Sequence, residues 1–369
     1  MRIARIDAIP VRTPFEGFAD SYEDYSARGV QLVLVRIEAD NGQVGFGEAT
    51  ATPGLEFYGD GFEAIVIAIR KYLGPKLIGE DAFNIRRIHA IMNRVQSRMT
   101  IAKTGIDLAI YDLIGKALGV PVSTVLGGAQ RARIRVSSEV ALQAPDKMLA
   151  ETRRILDLGF RTLKVKTGRN VDEDIEVVSA IRKAAGPGIE LTADSNGGWS
   201  RHDALRALRA FEDLDLRFVE QPLPGWDLEG AAWLRSKTAI PIMLDESVWT
   251  PHDVARIAHY GAADLLNIKI EKTGGLKNAL ELYATARAHG LSVMIGNECE
   301  TGPALAAKLH LAAAFEDLPL ACEFTELSYA LPVITDSLKI EDGTMAVPQG
   351  PGLGVTLDMG LIEKYRIEF

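Results

Sequence analysis

Cysteine is almost absent from this chain of 369 residues. Cys299 and Cys322 are the two present, too few for a disulfide framework or a thiolate zinc site, and they read as free buried thiols. Basic clusters are missing as well. Lys and Arg number 41 against 50 Asp and Glu, a formal charge of −9, and nothing resembles the electrostatic footprint of a nucleic-acid binder. No apolar run approaches a membrane span. Met1-Arg-Ile-Ala-Arg-Ile-Asp-Ala-Ile9 opens as an alternating strand, without charged leader, apolar core and cleavage site. The expectation is a soluble cytoplasmic protein with neither nucleic acid nor membrane as partner. The remainder is ordinary globular material, 47% apolar and 25% charged, long enough for a large barrel and a smaller domain.

Two textures divide the chain. Up to about Gly128, strands come first and helices second, the order of an α+β domain. Gln31-Leu-Val-Leu-Val-Arg-Ile-Glu-Ala39 predicts a strand, and Asp40-Asn-Gly-Gln43 is a turn signal leading into Val44-Gly-Phe-Gly-Glu48. Helical runs follow at Gly61–Leu73, Asn84–Asn93 and Ala102–Leu118, the last with Ile106, Ala109, Ile110, Leu113 and Ala117 on one face. From about Arg133, strand alternates with helix. Strands end near Ser138, Lys166, Asp194, Glu220, Asp245, Lys269, Gly296 and Glu323. Eight strands separated by helices predict a closed parallel barrel rather than an open sheet. After Thr325 the repeat stops, and Leu338–Val347 reads as a hairpin in a tail that packs back on the N-terminal domain. The expected division is a cap over 1–128, a barrel over 129–327 and a segment over 328–369 returning to the cap.

Charged residues close the short apolar runs of this repeat. In Arg161-Thr-Leu-Lys-Val-Lys-Thr167, strand alternation puts Leu163 and Val165 on one face and Lys164 and Lys166 on the other. Two ammonium groups in one interior are costly unless something there uses them. Asp194, Glu220, Asp245 and Lys269 each end a later run, about 25 residues apart, roughly one strand-helix unit. The C-terminal strand ends are where such barrels build active sites. Three converging carboxylates raise one another's pKa and repel; a divalent cation removes the conflict. Oxygen ligands without cysteine or histidine favour Mg²⁺ or Mn²⁺. Lys166 and Lys269 then face each other across the metal. Burial, Lys164 and the metal are expected to lower Lys166 to a pKa of about 7–8, where it acts as a base. This assembly suits removal of a proton α to a carboxylate, with the cation stabilising the ene-diolate.

The order Lys164-Val-Lys166, Asp194-Ser-Asn196, Glu220-Gln-Pro222, Asp245-Glu246 and Lys269 resembles the muconate-lactonising-enzyme subgroup of the enolase superfamily. That superfamily documents a lysine base working with a divalent cation on an ene-diolate. Other matching pieces are Gly45-Phe-Gly-Glu48, Ile106-Asp-Leu-Ala-Ile-Tyr-Asp-Leu-Ile-Gly-Lys116 with Leu126-Gly-Gly128, and Pro348-Gln-Gly-Pro-Gly-Leu-Gly354. The resemblance implies an α+β cap over a modified (β/α)₇β TIM barrel, and Mg²⁺ on Asp194, Glu220 and Asp245. Lys166 and Lys269 are then the acid/base pair, with Lys164 assisting the ene-diolate or tuning Lys166. Asn196, Glu246 and Asn267 are expected to steady the metal ligands. Mandelate-racemase-type relatives carry a histidine in place of Lys166 and a His/Asp dyad in place of Lys269; this chain has neither.

Substrate choice in the subgroup lies in two cap loops and the ends of strands seven and eight. Here the loops are Pro14–Gly29, with Tyr22 and Tyr25, and Thr50–Asp60, with Phe57 and Tyr58, whose glycines and aromatics suit mobile lids. Strand seven ends in Ile295-Gly-Asn-Glu298-Cys-Glu300 and strand eight in Cys322-Glu323-Phe-Thr325-Glu326. Glu298 and Glu323 are candidates for binding a cationic nitrogen. Dipeptide epimerases of the subgroup carry Asp-x-Asp at strand eight; Thr325 departs from that pattern, and Thr325-Glu326-Leu327 is similar to the cycloisomerase one. Three classes stay open. One is racemisation or epimerisation of an amino-acid-derived carboxylate. The second is cycloisomerisation or dehydration through the same intermediate, and the third a Schiff-base aldolase or non-catalytic barrel. A small-molecule carboxylate substrate and a homo-oligomer, dimer to octamer, are expected.

Overall fold

The computed structural model describes residues 1–14, 29–51, 59–324, 331, 333–336 and 338–368. The N-terminal apolar runs form an antiparallel sheet of β1 (Ile3–Thr13), β2 (Val30–Ala39) and β3 (Val44–Ala51), with β2 central. Both faces of β2 are covered, which is why it reads as an almost continuous apolar run. Val33, Val35 and Ile37 enter the core of the cap, while Leu32 and Leu34 pack with Val11, Val333 and Ile362.

Helices α1 (Phe62–Ile67), α2 (Ile85–Val95) and α3 (Thr100–Leu118) lie against this sheet. The sequence assigns α3 one apolar face, but it is buried on all sides from Ile101 to Gly115. The reason is its place between two cores. Ile106, Ala109 and Leu113 pack into the cap, and Leu108 and Tyr111 join the barrel core. Sheet and helix meet backbone to backbone: a Cβ on Gly45 or Gly47 would lie 2.2 Å from the carbonyl oxygen of Ala109 or Gly105.

The barrel strands are β4 (Arg133–Val140), β5 (Thr162–Lys166), β6 (Glu190–Asp194), β7 (Leu216–Glu220), β8 (Ile242–Leu244), β9 (Leu265–Ile268), β10 (Ser292–Ile295) and β11 (Cys322–Glu323). Each of β4 to β9 pairs in parallel with the next, and β11 pairs back on β4. The main connecting helices are α4 (Pro145–Asp157), α5 (Val171–Ala185), α6 (Arg201–Phe211), α7 (Leu228–Arg235), α8 (Pro251–Tyr260), α9 (Leu276–Ala288) and α10 (Gly302–Ala314). This is a (β/α)₇β barrel under an α+β cap. Strand alternation sorts its side chains. Leu163, Val165, Leu191, Ala193, Val219 and Leu244 join the cluster under the helices. Phe218, Met243, Met294 and Leu320 form a separate apolar cluster with Leu265, leaving the C-terminal strand ends to polar residues.

The C-terminal hairpin pairs β12 (Ile340–Glu341) with β13 (Thr344–Ala346), and β13 docks antiparallel on the first residues of β4. The chain beyond it reaches the cap, where α11 (Met359–Tyr365) places Ile362 against Val11. Three buried acids tie the cap to the rest of the chain, two to the barrel and one to the C-terminal segment. Glu48 accepts from Thr301 N–H and Oγ1, each at 2.7 Å, at the start of α10. Asp107 accepts from Leu276 N–H at the start of α9 at 2.6 Å. Asp112 accepts from Phe46 N–H and Leu353 N–H, each at 2.8 Å.

Candidate active site

The strand ladders set the site. Lys166 stands opposite Asp194 in the β5–β6 register, and Asp194 opposite Glu220 in β6–β7. Asp245 and Lys269 sit one residue beyond β8 and β9. The order around the rim is therefore Lys166, Asp194, Glu220, Asp245, Lys269, three acids in a row with a lysine at each end. Lys166 Nζ lies 2.8 Å from Asp194 Oδ2, and Lys269 Nζ 2.9 Å from Asp245 Oδ2. Lys164 points into the barrel with Nζ 3.0 Å from Asp194 Oδ2 and 3.4 Å from Glu220 Oε2, and it also pairs with Glu323.

Neighbouring residues fix this row. Asn196 accepts from Lys166 Nζ at 2.9 Å and donates to Glu246 at 2.9 Å; its N–H caps Asp194 Oδ1 at 3.0 Å. Asn196 and Gln221 have φ of +44° and +36°, strained values of the kind that collect at functional sites. Gln221 Oε1 accepts from Asp245 N–H at 2.9 Å. Asn267 donates to Glu220 Oε1 at 2.7 Å. The fully buried Lys272 Nζ donates to Asp245 O at 2.6 Å and pairs with its carboxylate.

Gln221, Lys272 and Glu139 are given no role in the sequence reading. Gln221 follows Glu220 directly. Lys272 lies one helical turn beyond Lys269, a spacing that puts both on one side. Glu139, with Oε2 3.4 Å from Lys166 Nζ, belongs to a first strand that runs on to Val140, not ending near Ser138. Of the candidate substrate residues, Glu298 lies beside Lys269 Nζ at 3.0 Å. Glu323, 3% exposed, is turned to Lys164. Tyr22, Tyr25, Phe57, Tyr58 and Thr325 lie outside the described residues.

Charge dominates the electrostatics. Burial disfavours the Lys164 ammonium, but Asp194, Glu220, Glu323 and Glu139 more than offset this and hold it well above the usual lysine value. Lys166 behaves likewise: burial lowers it, yet Asp194 and Glu139 raise it further than Lys164 and Lys269 depress it. The expected fall of Lys166 toward neutrality counts a divalent ion; the protein's own charges act the other way, because Asp194 and Glu139 act on it more strongly than Lys164 and Lys269 do. Burial opposes ionisation of Asp194 and Asp245, but Lys164 and Lys166 pull the first down, and Lys269 and Lys272 the second. Glu220 is pushed up by burial and by Asp194, Glu323 and Asp245, with Lys164 offsetting only part.

Among the described residues no three acid, histidine or cysteine side chains stand in a coordinating arrangement; ammonium groups lie against the carboxylates. The donor set nevertheless fits a hard divalent ion. Asp194, Glu220 and Asp245 offer only oxygens, at adjacent strand ends, at most 1% exposed. Carboxylates of Glu139, Glu298 and Glu323 pair with the same ammonium groups of Lys166, Lys269 and Lys164, and with Lys272 on Asp245 the acids still outnumber the lysines, an excess that two positive charges would reduce.

Residues 147–361 match the enolase C-terminal domain-like family, and residues 23–127 the mandelate racemase / muconate lactonizing enzyme N-terminal domain. The chain belongs to the muconate-lactonising subgroup of the enolase superfamily. Within it, the chain is 35% identical to L-Ala-D/L-Glu epimerase of Clostridium acetobutylicum over 356 residues, 94% of this chain and 96% of that protein. The crystal structure of N-succinyl Arg/Lys racemase from Bacillus cereus superposes with a TM-score of 0.94 at 29% identity, covering 100% of this chain and 99% of that one. Muconate lactonizing enzyme from Pseudomonas putida gives 0.93 at 31% identity, covering 100% of both chains. These relatives are isomerases, and this member of the enolase superfamily is one. No helix among its described residues is long and apolar enough to cross a membrane.

Proposed function

We propose that this isomerase racemises or epimerises an amino-acid-derived carboxylate, one of Lys166 and Lys269 removing its α-proton and the other delivering a proton to the opposite face. The observation that carries the reading is their placement at opposite ends of one acid row, each against a different acid. One lysine, as the free amine, takes the proton: the C–H bond breaks, an N–H bond forms and the electron pair moves into the substrate carboxylate. The other, as ammonium, returns a proton to the opposite face. Asp194, Glu220 and Asp245 would hold Mg²⁺, or Mn²⁺, with Asn267, Asn196 and Gln221 fixing their orientation. When bound, the ion supplies positive charge to the substrate carboxylate as the α-proton leaves. Lys164, buried between Asp194 and Glu220, adds a fixed charge on the Lys166 side. Cycloisomerisation is the second reading, supported by the 31% identity to muconate lactonizing enzyme over the full length of both chains; it uses the same lysines.

The test is α-deuterium incorporation in D₂O with Mg²⁺. The probes are L-Ala-L-Glu and L-Ala-D-Glu, the N-succinyl-L- and N-succinyl-D- forms of arginine and lysine, and cis,cis-muconate. Lys166→Ala should abolish exchange from one stereoisomer of a pair and Lys269→Ala from the other, each loss about 10²–10⁴-fold, the range for a general acid–base group. Equal loss for both isomers in both variants, with fold and Mg²⁺ binding intact, rejects racemisation. Conversion of muconate alone favours cycloisomerisation.

A further inference from the structure

Among the described residues, each proposed base pairs with two carboxylates, one of them a candidate cation ligand and the other not. Besides Asp194, Lys166 Nζ has Glu139 Oε2 at 3.4 Å; besides Asp245, Lys269 Nζ has Glu298 Oε1 at 3.0 Å. Glu139 sits near the end of β4, the first barrel strand, and Glu298 on the chain leaving β10, the seventh. Their side chains are 14% and 10% exposed, a depth at which a carboxylate needs a cationic partner.

Both positions are built into the fold. Glu139 is the ladder partner of Lys164, so strand pairing brings it alongside the β5 lysines. Glu298 N–H donates to Glu300 Oε1 at 2.8 Å, and the wholly buried Glu300 is paired with the equally buried Lys308 of α10. Cys299, between the two acids, takes a left-handed φ of +49°. An ion pair sunk in the protein thus anchors the loop that presents Glu298 to Lys269.

We propose that Glu139 and Glu298 are matched positioning residues, one for each lysine, that hold Lys166 and Lys269 toward the substrate when Asp194 and Asp245 are engaged by a cation. The inference rests on the two-base reading. A divalent ion held by Asp194 and Asp245 would compete with the lysines for those carboxylates, and Glu139 and Glu298 would remain as their partners. A lysine that has just taken an α-proton is a cation in a buried site, and this pairing keeps it in place until the proton leaves.

The experiment compares Glu139→Gln and Glu298→Gln with the wild type on the N-succinyl-L- and N-succinyl-D- arginine and lysine pairs in D₂O. Glu139→Gln should slow exchange of the stereoisomer that depends on Lys166 by about 10- to 100-fold, the effect of one charged hydrogen bond. The other isomer's rate should not change. Glu298→Gln should give the mirror result. The loss should fall on kcat with KM held, and Glu139→Asp and Glu298→Asp should recover part of it. Equal slowing of both isomers, a rise in KM alone, or unchanged rates overturns the proposal. Absence of a split in Lys166→Ala and Lys269→Ala rejects the two-base reading instead. A second readout is independent of turnover: crystal structures of the Mg²⁺-loaded wild type and Glu139→Gln. Lys166 Nζ should hydrogen-bond Glu139 in the first and shift in the second; a Lys166 turned away from Glu139 in the wild type overturns the pairing.

Discussion

Gly296 has no functional group, yet Gly296→Ala should damage the site through a single methyl. A Cβ there would lie 2.3 Å from Asn267 Oδ1 and 2.6 Å from its Nδ2, far inside contact distance. Asn267 is fully buried and donates to Glu220 Oε1 at 2.7 Å, so its amide cannot move without leaving that carboxylate. Overpacking costs about 1–3 kcal/mol and loss of a hydrogen bond to a charged acceptor about 1.5–3 kcal/mol. Gly296→Ala should therefore destabilise by about 3–5 kcal/mol. Asn267→Ala loses only the hydrogen bond, and in the double variant the new methyl enters space that the amide has vacated. The double variant should cost close to what Asn267→Ala costs alone, so the coupling should approach the whole cost of Gly296→Ala, about 3–5 kcal/mol. Urea unfolding measures all four corners of the cycle. Titration with Mg²⁺ should show affinity for Gly296→Ala reduced about 10–100-fold, the usual effect of losing a partner of a metal ligand. Costs that add within about 0.5 kcal/mol, or Mg²⁺ affinity unchanged in folded Gly296→Ala, would refute the reasoning.

Glu48→Ala removes the acceptor shared by Thr301 N–H and Oγ1, Ala304 N–H and Thr50 Oγ1. It should destabilise by about 2–5 kcal/mol through unpaired buried donors; a calorimetric loss below about 1 kcal/mol would show that cap and barrel are held elsewhere. Glu151 accepts from Ala141 N–H and Gln143 Nε2, and burial chiefly, with Glu139 adding, pushes its carboxyl up to about 7. From the unfolded value near 4.5 up to about 7, native Glu151 keeps a proton that the unfolded chain has lost, so stability falls as pH rises. Glu151→Gln should remove about 3 kcal/mol of that fall, read as the wild-type-minus-variant difference in urea unfolding across the window; parallel curves would contradict it.

The barrel was legible because its strands are short, buried and terminated by charge. Apolar runs ending in Lys166, Asp194 and Glu220 state their own register, and the ladders set those residues opposite one another. A local pattern cannot state which charges meet across the fold. Lys166 illustrates this: a reading that counts Lys164 and a metal lowers its pKa, whereas Asp194 and Glu139, on the two flanking strands, raise it. Lys272 looks like an exposed lysine of a helical turn until the fold buries it against Asp245. The one-sided pattern of α3 fails for the same reason, since its second apolar contact is with a barrel that lies far along the chain.

Glu48, Asp107 and Asp112 carry this furthest. In sequence they are acids inside apolar or helical runs, matched to a family pattern without a physical task. In the fold each meets backbone N–H groups at a place the chain reaches much later: Thr301 and Ala304, Leu276, and Leu353. Two of these sites are the first turns of α10 and α9, where orphan N–H groups and the helix dipole favour a carboxylate. Those helices flank the strand-seven loop that carries Glu298. The same acids that attach the cap therefore fix the ground on which the Lys269 side of the site stands, and substitutions there should reach catalysis through geometry without touching a reacting atom.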